Sequence, residues 1–130
     1  MAILIVEDNE TNITMLDYLL TACGYETLLA RTGEDGVRIA VRERPELILL
    51  DIRMPGMDGY EVAKAIKHNP ELDGTLIVAV TASVMADPRE LVRSAGFDGY
   101  ITKPIDPETF MEEIERFLPA RAAIQGTAGE

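Results

Sequence analysis

Five short runs rich in isoleucine, leucine and valine recur along the chain, at Ile3–Val6, Thr27–Ala30, Leu47–Leu50, Leu76–Val80 and Gly99–Ile101. Several of them, such as Ile3–Val6, Ile48–Leu50 and Ile77–Val80, are apolar without a break. A strand with one wet face alternates apolar and polar residues, whereas a strand covered on both faces does not. These runs therefore read as buried strands. The stretches between them carry helical spacing instead. Ile13, Leu16, Leu20 and Cys23 fall on one helical face, as do Phe110, Ile114, Phe117 and Leu118. The segments 33–44, 59–68 and 88–95 follow the same rule through Val37/Ala40/Val41, Ala63/Ile66 and Leu91/Val92/Ala95. Strands alternating with helices make an α/β domain around a parallel sheet, with right-handed crossovers.

The punctuation agrees with the periodicity. Asp58 precedes Gly59-Tyr60-Glu61, and Asp87 precedes Pro88-Arg89-Glu90, each an acidic N-cap with glutamate three residues on. Asp106-Pro107 marks a third start. Gly24, Gly96 and Pro119 stand where helices should stop. Residues 1–119 account for one domain, and the small, polar stretch 120–130 reads as a mobile tail.

The chain is 47% apolar and 27% charged over 130 residues, which suits one soluble globular unit with a real core. Its net charge is −11, from 23 acids and 12 bases. Such a surface repels phosphate backbones and anionic lipids, which argues against direct nucleic-acid or membrane binding. A cation is the more natural small partner. The opening apolar run is too short for an anchor and lacks the basic flank of a signal peptide. The single cysteine, Cys23, reads as a small residue near a helix end, consistent with a reducing cytoplasm.

Ligands of open parallel sheets bind beyond the carboxyl ends of the strands. Glu7 and Asp8 follow the first strand, Asp51 the third, Thr81 and Ala82 the fourth, and Thr102, Lys103 and Pro104 the fifth. Singly, each has an ordinary role as a turn residue, a cap or a solvated charge. Together they put three carboxylates, a hydroxyl and an amine at one edge. Crowded carboxylates repel one another, and an oxygen-only cluster suits magnesium. A cation there would let an anionic phosphoryl group approach Asp51, a carboxylate able to form an acyl phosphate. Lys103 would add a second positive charge, and Thr81 a hydroxyl donor for a phosphate in place.

The stretches Ile3-Leu4-Ile5-Val6-Glu7-Asp8-Asn9, Leu49 to Gly59 around Asp51, Val80-Thr81-Ala82 and Tyr100-Ile101-Thr102-Lys103-Pro104 resemble the receiver domains of two-component response regulators, the CheY-like superfamily. The likeness spans residues 2 to 118 and is nearest to the stand-alone members of cell-division and chemotaxis signalling. It implies a flavodoxin-like three-layer sandwich with strand order 2-1-3-4-5. It also implies Asp51 as phosphoacceptor, magnesium held by Asp8 directly, by Glu7 through water, by Asp51 and by the Arg53 carbonyl, and a phosphate gripped by Thr81 and Lys103. Lys103-Pro104 would be a cis peptide, and Tyr100 the aromatic switch that turns inward with Thr81. Arg53 and Ser83 occupy places that tune acyl-phosphate lifetime. The implied partners are a sensor histidine kinase or a histidine phosphotransfer protein, and a downstream protein effector that docks on the surface of segment 88–95, the last strand and the last helix.

Three other functions fit the same fold. An aspartyl-phosphate hydrolase would want a second aspartate where Arg53 stands. A nucleotide or flavin binder would want glycine, serine or threonine in place of Glu7-Asp8-Asn9-Glu10. An unphosphorylated scaffold would not need the complete residue set. The beginning at Met1 and the polar end suit a free-standing protein, and His68, beside Asn69-Pro70, carries no assigned role.

Overall fold

The computed structural model describes residues 2–52, 56–81, 96–103 and 105–117. Each apolar run forms a strand: β1 (Ala2–Val6), β2 (Glu26–Ala30), β3 (Leu47–Asp51), β4 (Leu76–Thr81) and β5 (Gly99–Thr102). Between and after them lie α1 (Glu10–Ala22), α2 (Gly33–Glu43), α3 (Gly59–Lys67) and α4 (Pro107–Phe117), with a 3-10 turn at Pro70–Leu72. The sheet is wholly parallel in the order β2-β1-β3-β4-β5. This is the flavodoxin-like order. The central strand β3 is buried at every residue, as a strand covered on both faces must be.

Alternation along the strands splits the interior in two. Leu4, Val6, Ile48, Leu50, Ile77 and Ala79 pack with Ala40 of α2 and Val62, Ala63 and Ile66 of α3. Ile3, Ile5, Leu47, Leu49, Val78, Val80 and Ile101 pack with Leu16 and Leu20 of α1 and Phe110 and Ile114 of α4. Each fully buried aliphatic side chain contributes roughly 1.5–3 kcal/mol, so two continuous layers, not any local propensity, hold the sheet between its helices.

Helix ends are closed by side chains. Asn9 Oδ1 accepts from Asn12 N at 3.1 Å and Thr32 Oγ1 from Asp35 N at 3.1 Å. Asp58 and Glu61 form the full capping box at the start of α3, and Asp106 accepts from Glu108 N at 3.0 Å before α4. Gly24 and Gly96 have φ of 91° and 79°, the left-handed region that glycine enters without a Cβ clash.

Three expectations need correction or restriction. Cys23 is exposed, because α1 ends at Ala22 and its buried stripe stops at Leu20. Val41 is 40% exposed, since Ala40 and Val37 already fill the contact of α2. The expected helix at 88–95, its start at Asp87-Pro88, Leu118, Pro119 and the tail 120–130 lie outside the described residues. Among the described residues no helix is long and apolar enough to cross a membrane.

Candidate functional site

Asp51 and Thr81 end β3 and β4, and the ladders of the sheet run one residue past β1 and β5 to bring Glu7 and Lys103 beside them. Glu7 N donates to Ala30 O at 3.0 Å, and Lys103 N donates to Thr81 O at 2.8 Å. Side-chain parity does the rest. The alternation that sends Ile3 and Ile5 into the α1/α4 layer next points Glu7 to that side. It does the same for Asp51 after Leu47 and Leu49, and for Lys103 after Ile101. An edge of three different strands thereby delivers two acids and an amine to one spot.

Glu7 is 1% exposed, Asp51 6% and Thr81 7%, so these polar groups sit within the protein rather than in water. Asp8 is exposed at the mouth. One carboxylate oxygen from each of Glu7, Asp8 and Asp51 lies within 4.8 Å of the other two. Lys103 Nζ stands 2.9 Å from Glu7 Oε1 and 3.5 Å from Asp51 Oδ2.

Burial alone would raise the Glu7 carboxyl. Hydrogen bonds with Asp51, Lys103 and the Asn9 N–H, and the charge of Lys103, outweigh that and hold it below the usual carboxylate range. The Asn9 N–H lies 3.2 Å from Oε2, and Asn12 Nδ2 lies 3.4 Å from Oε1. Among the described residues, three carboxylates meet one ammonium, a deficit of positive charge at a cluster made only of oxygen donors. A small divalent cation fits such a set; thiolate- or imidazole-seeking metals find no ligand in it.

Gly59, at the first position of α3, shapes the floor. A Cβ there would fall 2.6 Å from Ile52 Cα and 2.8 Å from Asp51 O. Only glycine lets the helix start this close to the strand that bears Asp51.

Of the residues singled out in the sequence, Glu7, Asp8, Asp51 and Lys103 come together, with Thr81 at the same end of the sheet. Tyr100 lies on β5 in register with Ala79, while Thr81 is in register with Thr102. Both therefore occupy one sheet face, and Tyr100 is 38% exposed. Arg53, Ser83 and Pro104, with the Lys103-Pro104 peptide, lie outside the described residues. His68 is exposed, its Nδ1 2.8 Å from Lys64 O, apart from the site. Sequence reading missed Asn9 and Asn12. The signal for Asn9 was available, because asparagine just before a helical run is a favoured N-cap.

Residues 3–115 match the family model of the response regulator receiver domain. The polar-differentiation response regulator DivK of Brucella anthropi is 41% identical over 117 residues, 90% of this chain and 95% of that protein. DivK of Brucella ovis is 40% identical over the same span. Among solved structures, Vibrio cholerae chemotaxis protein CheY4 superposes with a TM-score of 0.83 at 28% identity, covering 88% of this chain and 96% of that one. The receiver domain of a Pseudomonas aeruginosa sensor histidine kinase, determined with magnesium in its active-site cleft, gives 0.80 at 34% identity, covering 88% and 94%. With its sheet order, its acidic strand ends and this likeness in hand, the chain belongs to the receiver domains of two-component response regulators, DivK-like members of a family that switches by phosphorylation.

Proposed function

We propose that Asp51 is the phosphoacceptor of this receiver and that Mg2+ is its cofactor, held by Glu7, Asp8, Asp51 and the main-chain carbonyl of Arg53. The observation that carries the reading is the meeting of three carboxylates within 4.8 Å with Lys103 reaching two of them. The donor is a phosphohistidine on a sensor kinase or phosphotransfer protein. An Asp51 carboxylate oxygen attacks phosphorus, the P–N bond breaks, and its electron pair returns to the imidazole, leaving an acyl phosphate on Asp51. Bound magnesium supplies charge neutralisation for the incoming phosphoryl oxygens. Lys103, already 3.5 Å from Asp51 Oδ2, transfers its contact to the phosphate, and Thr81 donates its hydroxyl to the same group.

Thr81 and Tyr100, on one sheet face, couple that event to the surface beside β5, where a downstream protein docks. The domain (residues 1–119) works in the cytoplasm as a switch that assists its own phosphorylation and dephosphorylation, without contacting nucleic acid or membrane. Population shifts between two accessible conformations, by the differential interaction that each makes with the phosphate. The test is incubation with Mg2+ and acetyl phosphate or beryllofluoride, read by intact mass and by amide NMR shifts. Wild type gains the modification and the shifts, and Asp51→Asn gains neither; identical behaviour of the two refutes the assignment.

A further inference from the structure

We propose that Asn12 is a positioning residue for the cation pocket, its side-chain amide holding the Glu7 carboxylate in place both with and without a cation. The proposal rests on the reading of Glu7, Asp8 and Asp51 as the magnesium site. Glu7 is 1% exposed, so protein donors rather than water set the orientation of its carboxylate. Beside its hydrogen bond with Asp51, those donors include the Asn9 N–H at 3.2 Å, Lys103 Nζ at 2.9 Å and Asn12 Nδ2 at 3.4 Å.

They do not behave alike when charge enters the pocket. Lys103 is a cation with a second partner 3.5 Å away in Asp51. A divalent ion among the carboxylates repels that ammonium, and a phosphoryl group on Asp51 attracts it, so its hold on Glu7 is conditional. Asn12 carries no net charge, and its hold persists. Helical side chains lean toward the N-terminal end of their helix, which is how a residue in the first turn of α1 reaches a carboxylate that precedes the helix. Its backbone is fixed as well, since Asn12 N donates to Asn9 Oδ1 at 3.1 Å. Glu7, Asn9 and Asn12 thus form a closed ring of three hydrogen bonds that ties the pocket to the start of α1.

The experiment is calorimetric titration of the full chain with Mg2+, for wild type, Asn12→Leu, Asn12→Ser and Asn12→Gln, with thermal melting in chelator to verify folding. Loss of an outer hydrogen bond to a metal ligand costs about 10–100-fold in affinity where geometry is tight; for a contact of 3.4 Å we expect about 3- to 10-fold. Asn12→Leu and Asn12→Ser both weaken binding by that factor, the serine being too short to reach Glu7, and Asn12→Gln recovers part of it. Wild-type affinity in the folded leucine and serine variants overturns the role of Asn12 while leaving the magnesium site intact. Glutamine binding no better than leucine also overturns it, since packing and not donation would then be what matters. Absence of Mg2+ binding by wild type overturns the magnesium reading and this proposal with it.

Discussion

Replacing Lys103 with methionine keeps the stem and removes the ammonium from a pocket of three carboxylates. Its two contacts, at 2.9 and 3.5 Å, each correspond to about 5 kcal/mol of gross attraction at an effective dielectric near 20. Desolvation of an ammonium only 18% exposed cancels a large part of this. We expect Lys103→Met to lose about 2–4 kcal/mol at pH 7 in chelator, around the lower end of the usual cost of stripping one partner from a buried pair, because the ammonium keeps some contact with solvent. At this chain length that is roughly a 10 °C fall in Tm. Two dependences identify the cause. In wild type the Glu7 carboxyl lies below its ordinary 4.5, so its stabilising contribution is present above 4.5 and is lost as pH falls through the lower folded value. Without Lys103 that carboxyl rises and takes a proton earlier, so the gap between variant and wild type should narrow as pH falls from 7 toward 4. Mg2+ should narrow it too, by supplying positive charge. Chemical denaturation with and without Mg2+ at several pH values measures all three. A gap under about 0.5 kcal/mol at pH 7, or one indifferent to acid, refutes the electrostatic account.

Other outcomes follow from features away from Lys103. Burial, with help from the nearby Glu115 and Cys23, pushes the Tyr25 hydroxyl above 10. Its contribution is complete below about pH 10 and is lost as pH rises through the folded value; Tyr25→Phe should flatten the alkaline limb of a stability profile. Gly59→Ala forces a Cβ to within 2.6 Å of Ile52 Cα, so α3 must move. We expect a loss of about 1–3 kcal/mol by denaturation, together with weaker beryllofluoride binding, because the strain falls on the strand end bearing Asp51.

Period two made the sheet and the core of the site readable together: the same alternation that buries Leu47 and Leu49 aims Asp51. Strand order was not readable from pattern, because pairing partners are chosen by tertiary packing, and it came only with the resemblance. Each strand runs a residue or more beyond its apolar run, since ladder hydrogen bonds are indifferent to side-chain polarity and carry Glu26, Asp51, Thr81 and Thr102 into the sheet. Arg44 takes φ of 49° at the end of α2, where a glycine would be the ordinary signal. Asn12 was invisible because its meaning depends on a carboxylate across the turn, a relation that no periodicity encodes. Tyr100 was identified by likeness alone; its register beside Thr81's own pair is a fact of the folded sheet.

The contact between Lys103 and Glu7 joins the first strand to the last, across nearly the whole described sequence. Contacts of such separation are the costliest in loop-closure entropy and among the slowest to form. During synthesis Glu7, Asp8 and Asp51 all emerge before the residue that partly neutralises them. The pocket is thus completed late, with only α4 still to follow, and a chain interrupted before β5 carries these acids without the Lys103 ammonium. The charge balance of the site is therefore available only to a chain made through its fifth strand.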